Sequence, residues 1–299
     1  MLQPAKYKIN LISVPKTNQR DNVGMGIRVY MTIRWGSWAE ETQKIYVRAA
    51  NSIATAGLWG RTMTRLSVPD MDSLQALPPG LASQAIRFLK AVTSHSFKMG
   101  FIQKDPLLHY HAHTTPTNGW EEWTDGDLAR VCEDVPTAQL IKFAAYSGQR
   151  IGDLVRITPQ NFAVYGRVQI IQHKTGRHVT LPLTPAMKKL GLVKDALNLI
   201  QKANGATNFD NSPIFMFETE RQAKHWYYHW CKIWGIKKPF HGLRKYCAIK
   251  MAEAGCTMPE IMAVTGHTST NTAMKYIKAA DRFILAKRAA ARVEDYENA

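Results

Sequence analysis

The chain has 299 residues, 45% of them apolar, and a net charge of +16 from 39 Lys plus Arg against 23 Asp plus Glu. That length suits two domains with cores of their own, and the composition excludes a disordered chain. The four cysteines (Cys132, Cys231, Cys247 and Cys256) have no CxxC spacing, which excludes a zinc ribbon and a disulfide framework, and no run approaches the ~18 apolar residues of a membrane helix. With no apolar stretch near residue 1 to serve as a signal peptide, the expectation is a cytosolic protein with reduced thiols.

In chain order, KYKINLIS and GIRVYMTIRW alternate, and this predicts short β structure in an N-terminal extension over residues 1–34. A helix is expected from Ser37 to Ala56, with Trp38, Ile45, Ala49, Ile53 and Ala56 on one stripe and Gly57 as its stop. Asp70–Leu77 reads as a second helix. Leu81–Met99 reads as a third, with Ala85, Phe88, Leu89 and Val92 at helical spacing before Gly100. These helices make a small helical domain over 35–110. Periodicity is lost in PLLHYHAHTTPTNG, and the linker is expected at 111–122. His109, His111 and His113 alternate in this stretch. A solvated linker accounts for them, and no metal is expected.

The second domain is expected over 123–299. It opens at Thr124 and Asp127 in capping-box spacing, and helices follow through Val135 and through Tyr146. VQIIQH and HVTLPL flank Lys174, Thr175, Gly176 and Arg177, which predicts a β-hairpin. Helices resume at Pro185 and run to the tail, interrupted by PIFMF. On the helix expected to hold His225 and His229, the neighbours Trp226, Tyr227, Tyr228 and Trp230 point to a packed aromatic face rather than a metal pair. The fold class is therefore mainly α with a small antiparallel β-sheet, in two domains.

The charge is spread evenly. Residues 1–119 hold 14 basic and 6 acidic side chains, or +8, and residues 120–299 hold 25 and 17, also +8. An excess on both halves suits a polyanion gripped from two sides, which points to a nucleic acid. Several chemistries are missing from the sequence: it has no GxxxxGK[ST], no HExxH and no GxSxG, and Gly24 and Gly26 form a GxG without a third glycine.

Four segments carry the remaining chemistry. They are Ser147-Gly148-Gln149-Arg150 with Asp153, the Lys174 turn, His241-Gly242-Leu243-Arg244, and Gly266-His267 followed by Tyr276. Each alone is common. In this order, with 23 residues from Arg244 to His267 and nine from His267 to Tyr276, the set from Trp123 to Ala280 resembles the tyrosine recombinase family, which includes the phage integrases. Ser147 stands where a Thr is usual, and Lys245 where many members have His.

The resemblance implies a helical DNA-clamping (SAM-like core-binding) domain followed by a tyrosine-recombinase catalytic domain, without metal or cofactor. It implies that Arg150 and Arg244 hold the phosphate, because a planar guanidinium matches its oxygens. Lys174 is then the general acid for the leaving 5′-oxygen, and Tyr276 the nucleophile that forms a 3′-phosphotyrosyl bond. His241 and His267 assist, and which of them is the base stays open. Asp153 supports the site from behind or is a helix-surface carboxylate. Lys245 and Arg177 are expected DNA contacts. The implied protein is a site-specific recombinase of a mobile element, working as a homotetramer on paired sites in double-stranded DNA, with an accessory DNA-bending or directionality factor a further candidate partner. It would act in the bacterial cytoplasm, at the nucleoid. Two alternatives stand beside it: a type IB-like topoisomerase, and a DNA-binding protein of the same fold without catalysis. Phe283–Ala299, with Ile284, Leu285, Ala289 and Val293 at helical spacing, packs in this reading on its own domain or links protomers.

Overall fold

The computed structural model describes residues 21–112, 121–132, 135–162, 166–203, 212–277 and 280–297. Their described parts fall into two compact units, 21–112 and 121–297. The predicted strand KYKINLIS, His113 and most of the expected linker lie outside the described residues.

The first unit holds α1 (Val23–Arg34), α2 (Glu40–Thr55), α3 (Val68–Gln75) and α4 (Pro79–Lys98). GIRVYMTIRW is thus helical, not the strand its alternation suggests. Val23, Ile27 and Met31 recur every four residues and are buried, and Asn22 caps the first turn by accepting from Met25 N at 2.8 Å. Packing decides against the strand, since α1 buries this stripe in the same core as Ile53, Phe88 and Leu89. Helix α1 therefore belongs to the core of the first unit. Gly24 and Gly26 serve this packing, because a Cβ at either would strike the Trp59 ring or the Met63 thioether. The start of α3 lies two residues earlier than expected, at a capping box in which Ser67 and Asp70 satisfy each other's backbone N–H groups.

Loss of periodicity at residue 106 does not mark loose chain. Leu107 is buried in the first core, and Tyr110 O accepts from Lys90 Nζ at 2.6 Å. His109 and His111 are exposed.

In the second unit Thr124 caps α5 (Asp125–Ala129) with Asp127 in the expected reciprocal pair. Next come α6 (Pro136–Ser147), the single turn α7 (Ile151–Leu154), and the hairpin β1 (Arg167–Gln172) and β2 (Arg177–Pro182). The strands are antiparallel, pairing Val168 with Leu181 and Gln172 with Arg177. Helices α8 (Pro185–Lys188), α9 (Gly191–Ala203), α10 (Glu220–Ile233), α11 (His241–Glu253), α12 (Met258–Thr265), α13 (Thr270–Ile277) and α14 (Arg282–Glu297) complete the chain. The described residues are thus mainly helical with one two-stranded antiparallel sheet. Its inward side chains, Val168 and Ile170, join Phe143, Phe162 and Leu243 in one core.

The aromatic run on α10 is not a packed face as expected. Ala223, Tyr227 and Cys231 turn inward at helical spacing, while Trp226 and Tyr228 are 41% and 59% exposed. Arg292 of α14 donates to Gly255 O at 3.0 Å, beyond the end of α11, whereas Phe283 and Tyr296 stay exposed. No helix among the described residues is long and apolar enough to cross a membrane.

Candidate active site

Two left-handed glycines set the site's geometry. Gly148 ends α6 with φ 64°, turning the chain so that Arg150 stands at the N-cap of α7. Gly266 ends α12 with φ 71° and presents His267. Only glycine adopts this conformation freely, so each helix stops where a functional side chain is needed. His241 opens α11, and Arg244 lies one turn later on the same face.

Arg244 is 1% exposed and is held from two sides. Its Nη1 donates to Gly148 O at 2.8 Å, and its Nη2 donates to His267 Nε2 at 2.9 Å. The second contact fixes the tautomer of His267. A guanidinium can only donate, so Nε2 carries the lone pair and Nδ1 carries the proton. Thr265 Oγ1 donates to Ile261 O at 2.7 Å and therefore accepts from His267 Nδ1 at 2.8 Å. Both ring nitrogens of His267 are thus committed.

His241 differs. Its Nε2 is 2.7 Å from the Tyr276 hydroxyl. Tyr276, half-buried on α13, lies nearly parallel to His267, with ring centroids 5.0 Å apart and planes at 23°. Arg150 is held by Gln172 Oε1 at 3.1 Å and by Asp153 Oδ2 at 3.7 Å. Asp153 is 3% exposed, and its other oxygen accepts from His173 N in the hairpin at 2.8 Å. It is therefore a buried brace between Arg150 and the hairpin and not a surface carboxylate. Lys174 is exposed at the hairpin turn. It lines one cavity of about 460 Å³ with Arg150, His241 and Arg244, and Lys224 and Tyr228 of α10 line it too.

The structure thus gathers Arg150, Asp153, Lys174, His241, Arg244, His267 and Tyr276. It places the other two candidates at the margin. Arg177 Nη1 donates to His267 O at 2.6 Å, and Lys245 pairs with Glu122. Sequence reasoning gave no role to Gln149, Gln172 or Thr265, which are all buried. Gln172 carried a signal, since it stands at the inward register after Val168 and Ile170, where a polar residue needs a partner.

The charges crowd each other. Burial and then the neighbouring Arg150 push Arg244 down to about 10. Burial, Arg244 and Arg150 lower His267 to about 4. His241 is lowered by burial and then by Arg244, Arg150 and Lys174. Groups packed this way favour an anion in their midst, which would relieve their repulsion. No cluster of three or more metal-ligating side chains occurs among the described residues.

Residues 126–282 match the model of the phage integrase family. Among solved structures, the fold is similar to that of lambda integrase residues 75–356, crystallised as a dimer on a COC′ core site. Identity is 17% and the TM-score 0.66, over 86% of this chain and 95% of that one. It is also similar to the Tn1549 transposon integrase in complex with a circular intermediate DNA, at 16% identity and a TM-score of 0.68, over 91% of this chain and 99% of that one. A lambda integrase tetramer on a Holliday junction is similar at 16% identity and a TM-score of 0.61, over 82% of this chain and 77% of that one. No curated protein matches the sequence.

Proposed function

The chain belongs to the phage integrase family, and on that premise we propose that it is a site-specific DNA recombinase that cuts and rejoins strands through a bond between Tyr276 and the 3′-phosphate. The observation that carries this reading is the contact of Tyr276 with His241, 2.7 Å apart beside two clustered guanidiniums.

In the proposed reaction, the scissile phosphate enters the cavity and its non-bridging oxygens meet Arg150 and Arg244. Their charge is preorganised for the negative charge that builds as phosphorus is attacked. Tyr276 Oη attacks and passes its proton to His241 Nε2. The 5′-oxygen departs with a proton from Lys174. The 3′-phosphotyrosyl ester keeps the energy of the broken bond, so a 5′-hydroxyl can reverse the step without a nucleotide. The chain's own groups complete the chemistry.

His241 is assigned as the base because its Nε2 faces the phenol, whereas the Nε2 lone pair of His267 is occupied by Arg244. His267 instead holds Arg244 and supports the ring of Tyr276. Arg177, Lys245 and Lys224 would each reach DNA by giving up a partner, His267 O, Glu122 and Glu220 respectively.

On this reading, residues 35–110 together with α1 form the DNA-clamping domain and 123–299 the catalytic domain. Four copies act on two duplexes, with an accessory DNA-bending or directionality factor, in the bacterial cytoplasm.

The test is covalent capture. The protein is incubated with fragmented genomic DNA of its source, denatured and stripped of free DNA, and what remains attached is sequenced. One or a few enriched, roughly palindromic sites, absent with Tyr276→Phe, are expected. Scattered adducts without a motif would mean topoisomerase-like action, and adducts retained by Tyr276→Phe would refute the nucleophile.

A further inference from the structure

Three segments of the site meet on one buried amide. Gln172, the last residue of β1, is fully buried. Its Oε1 accepts from Arg150 Nη1 and from Thr175 Oγ1, each at 3.1 Å. Its Nε2 donates to Gln149 Oε1 at 2.8 Å and to Thr265 O at 3.0 Å. A primary amide offers two lone pairs and two N–H groups, and all four are engaged. The orientation is fixed because Thr265 O, a backbone carbonyl, can only accept.

Gln149, 1% exposed, is held in the same way. Its Nε2 donates to Ser147 O at 3.0 Å and to Val264 O at 2.7 Å, which leaves Oε1 for Gln172. Gly266 makes room for the pair, since a Cβ there would lie 2.5 Å from Gln172 Nε2. The Arg150 segment, the Lys174 turn (through Thr175) and the Gly266–His267 turn are thereby tied together.

The chemistry explains an amide at this place. Arg150 stands among Arg244, Lys174 and two histidines, so without a phosphate its charge favours a swing toward solvent. Asp153, at 3.7 Å, is a loose restraint. A carboxylate at position 172 would hold Arg150 more tightly but would cancel the charge the phosphate needs. A neutral amide fixes direction and leaves the charge in place.

We propose that Gln172, backed by Gln149, is a positioning residue that holds Arg150 and the Lys174 turn in the geometry of phosphate attack. The proposal rests on the recombinase reading given above and adds to it two residues that do not touch DNA.

The test uses the full chain and a duplex carrying the captured site, nicked so that cleavage is irreversible. Gln172→Leu keeps the volume and removes all four bonds. Its single-turnover cleavage should fall about 100-fold, the order set by an ångström of misplacement, while affinity for the duplex stays within about threefold, as that figure concerns positioning and not contact. Thr175→Val, at an exposed side chain, removes only the arm to the Lys174 turn. It should cleave more slowly than wild type and recover on a duplex with sulfur at the 5′-bridging position. It carries the test if Gln172→Leu does not fold. Wild-type cleavage rates in either variant overturn the proposal.

A readout without DNA separates the two readings. In the free protein, 15N NMR should show slow rotation of the Arg150 guanidinium that becomes fast in Gln172→Leu. Fast rotation in the wild type overturns the positioning role. A wild type that shows slow rotation but forms no adduct with any DNA overturns the recombinase reading alone.

Discussion

His241→Ala separates the two histidines. In the wild type, burial and the charges of Arg244, Arg150 and Lys174 hold the pKa of His241 below its ordinary 6.5. The ring is therefore mostly neutral at pH 7, with Nε2 ready to accept from Tyr276 at 2.7 Å. A positioned general base is worth about 10²–10⁴ in rate, or about 3–5 kcal/mol of barrier. In His241→Ala the phenol's proton must leave to solvent hydroxide. Single-turnover cleavage should fall by about that factor at pH 7 and then climb about tenfold per pH unit. The wild type should be level above pH 6.5 and should lose activity only below it, as His241 gains a proton. His267→Ala should behave differently. It leaves Arg244 Nη2 buried without its acceptor, at a cost of about 1–3 kcal/mol, and the pH profile keeps its wild-type shape. The assay is quenched-flow cleavage of the nicked duplex from pH 5.5 to 9. The assignment of His241 as the base is refuted if His241→Ala stays within about threefold of wild type at pH 7, or if the pH slope emerges in His267→Ala.

Three further outcomes follow from the geometry. Lys174→Ala should cleave normal DNA slowly and recover on a duplex with 5′-bridging sulfur, whose leaving group needs little protonation; absence of rescue removes Lys174 as the acid. His267 is lowered to about 4 from 6.5 in the folded state, so the unfolded chain takes up its proton first. Stability is then complete above pH 6.5 and is lost as pH falls toward 4, by at most about 3 kcal/mol, and by less because water reaches the adjoining cavity. His267→Gln should flatten this part of the thermal-unfolding profile, and an unchanged acid slope would count against it. Gly266→Ala should destabilise more than Gly176→Ala in urea. Both glycines have positive φ, at 71° and 65°, but only the first would drive a Cβ into Gln172, whereas nothing lies within 4 Å of the second. Both should lose about 1–2 kcal/mol to the backbone, and equal losses would show that the Gln172 amide yields freely.

What the sequence determined by itself was whatever local pattern and spacing encode. The helix start at Thr124 is written in a capping box, and the hairpin in two β-branched runs around a glycine turn. The candidate residues Arg150, Lys174, His241, Arg244, His267 and Tyr276 were legible through order and separation, because a shared fold keeps such distances along the chain even where identity is low. The tertiary structure decided the rest. GIRVYMTIRW fits both periods, and only a core that accepts Val23, Ile27 and Met31 makes it a helix. The α10 aromatics follow the same rule, since three of its positions fill the inward stripe and leave Trp226 and Tyr228 outside. In the proposed reaction the choice of His241 over His267 as base rests on which nitrogen faces Arg244, a relation between α11 and the turn after α12 that no local pattern records. Gln149 and Gln172 are 23 residues apart and meet only when the hairpin folds against the end of α6. A hydrogen bond has to close in space, and that closure is a property of the packed chain.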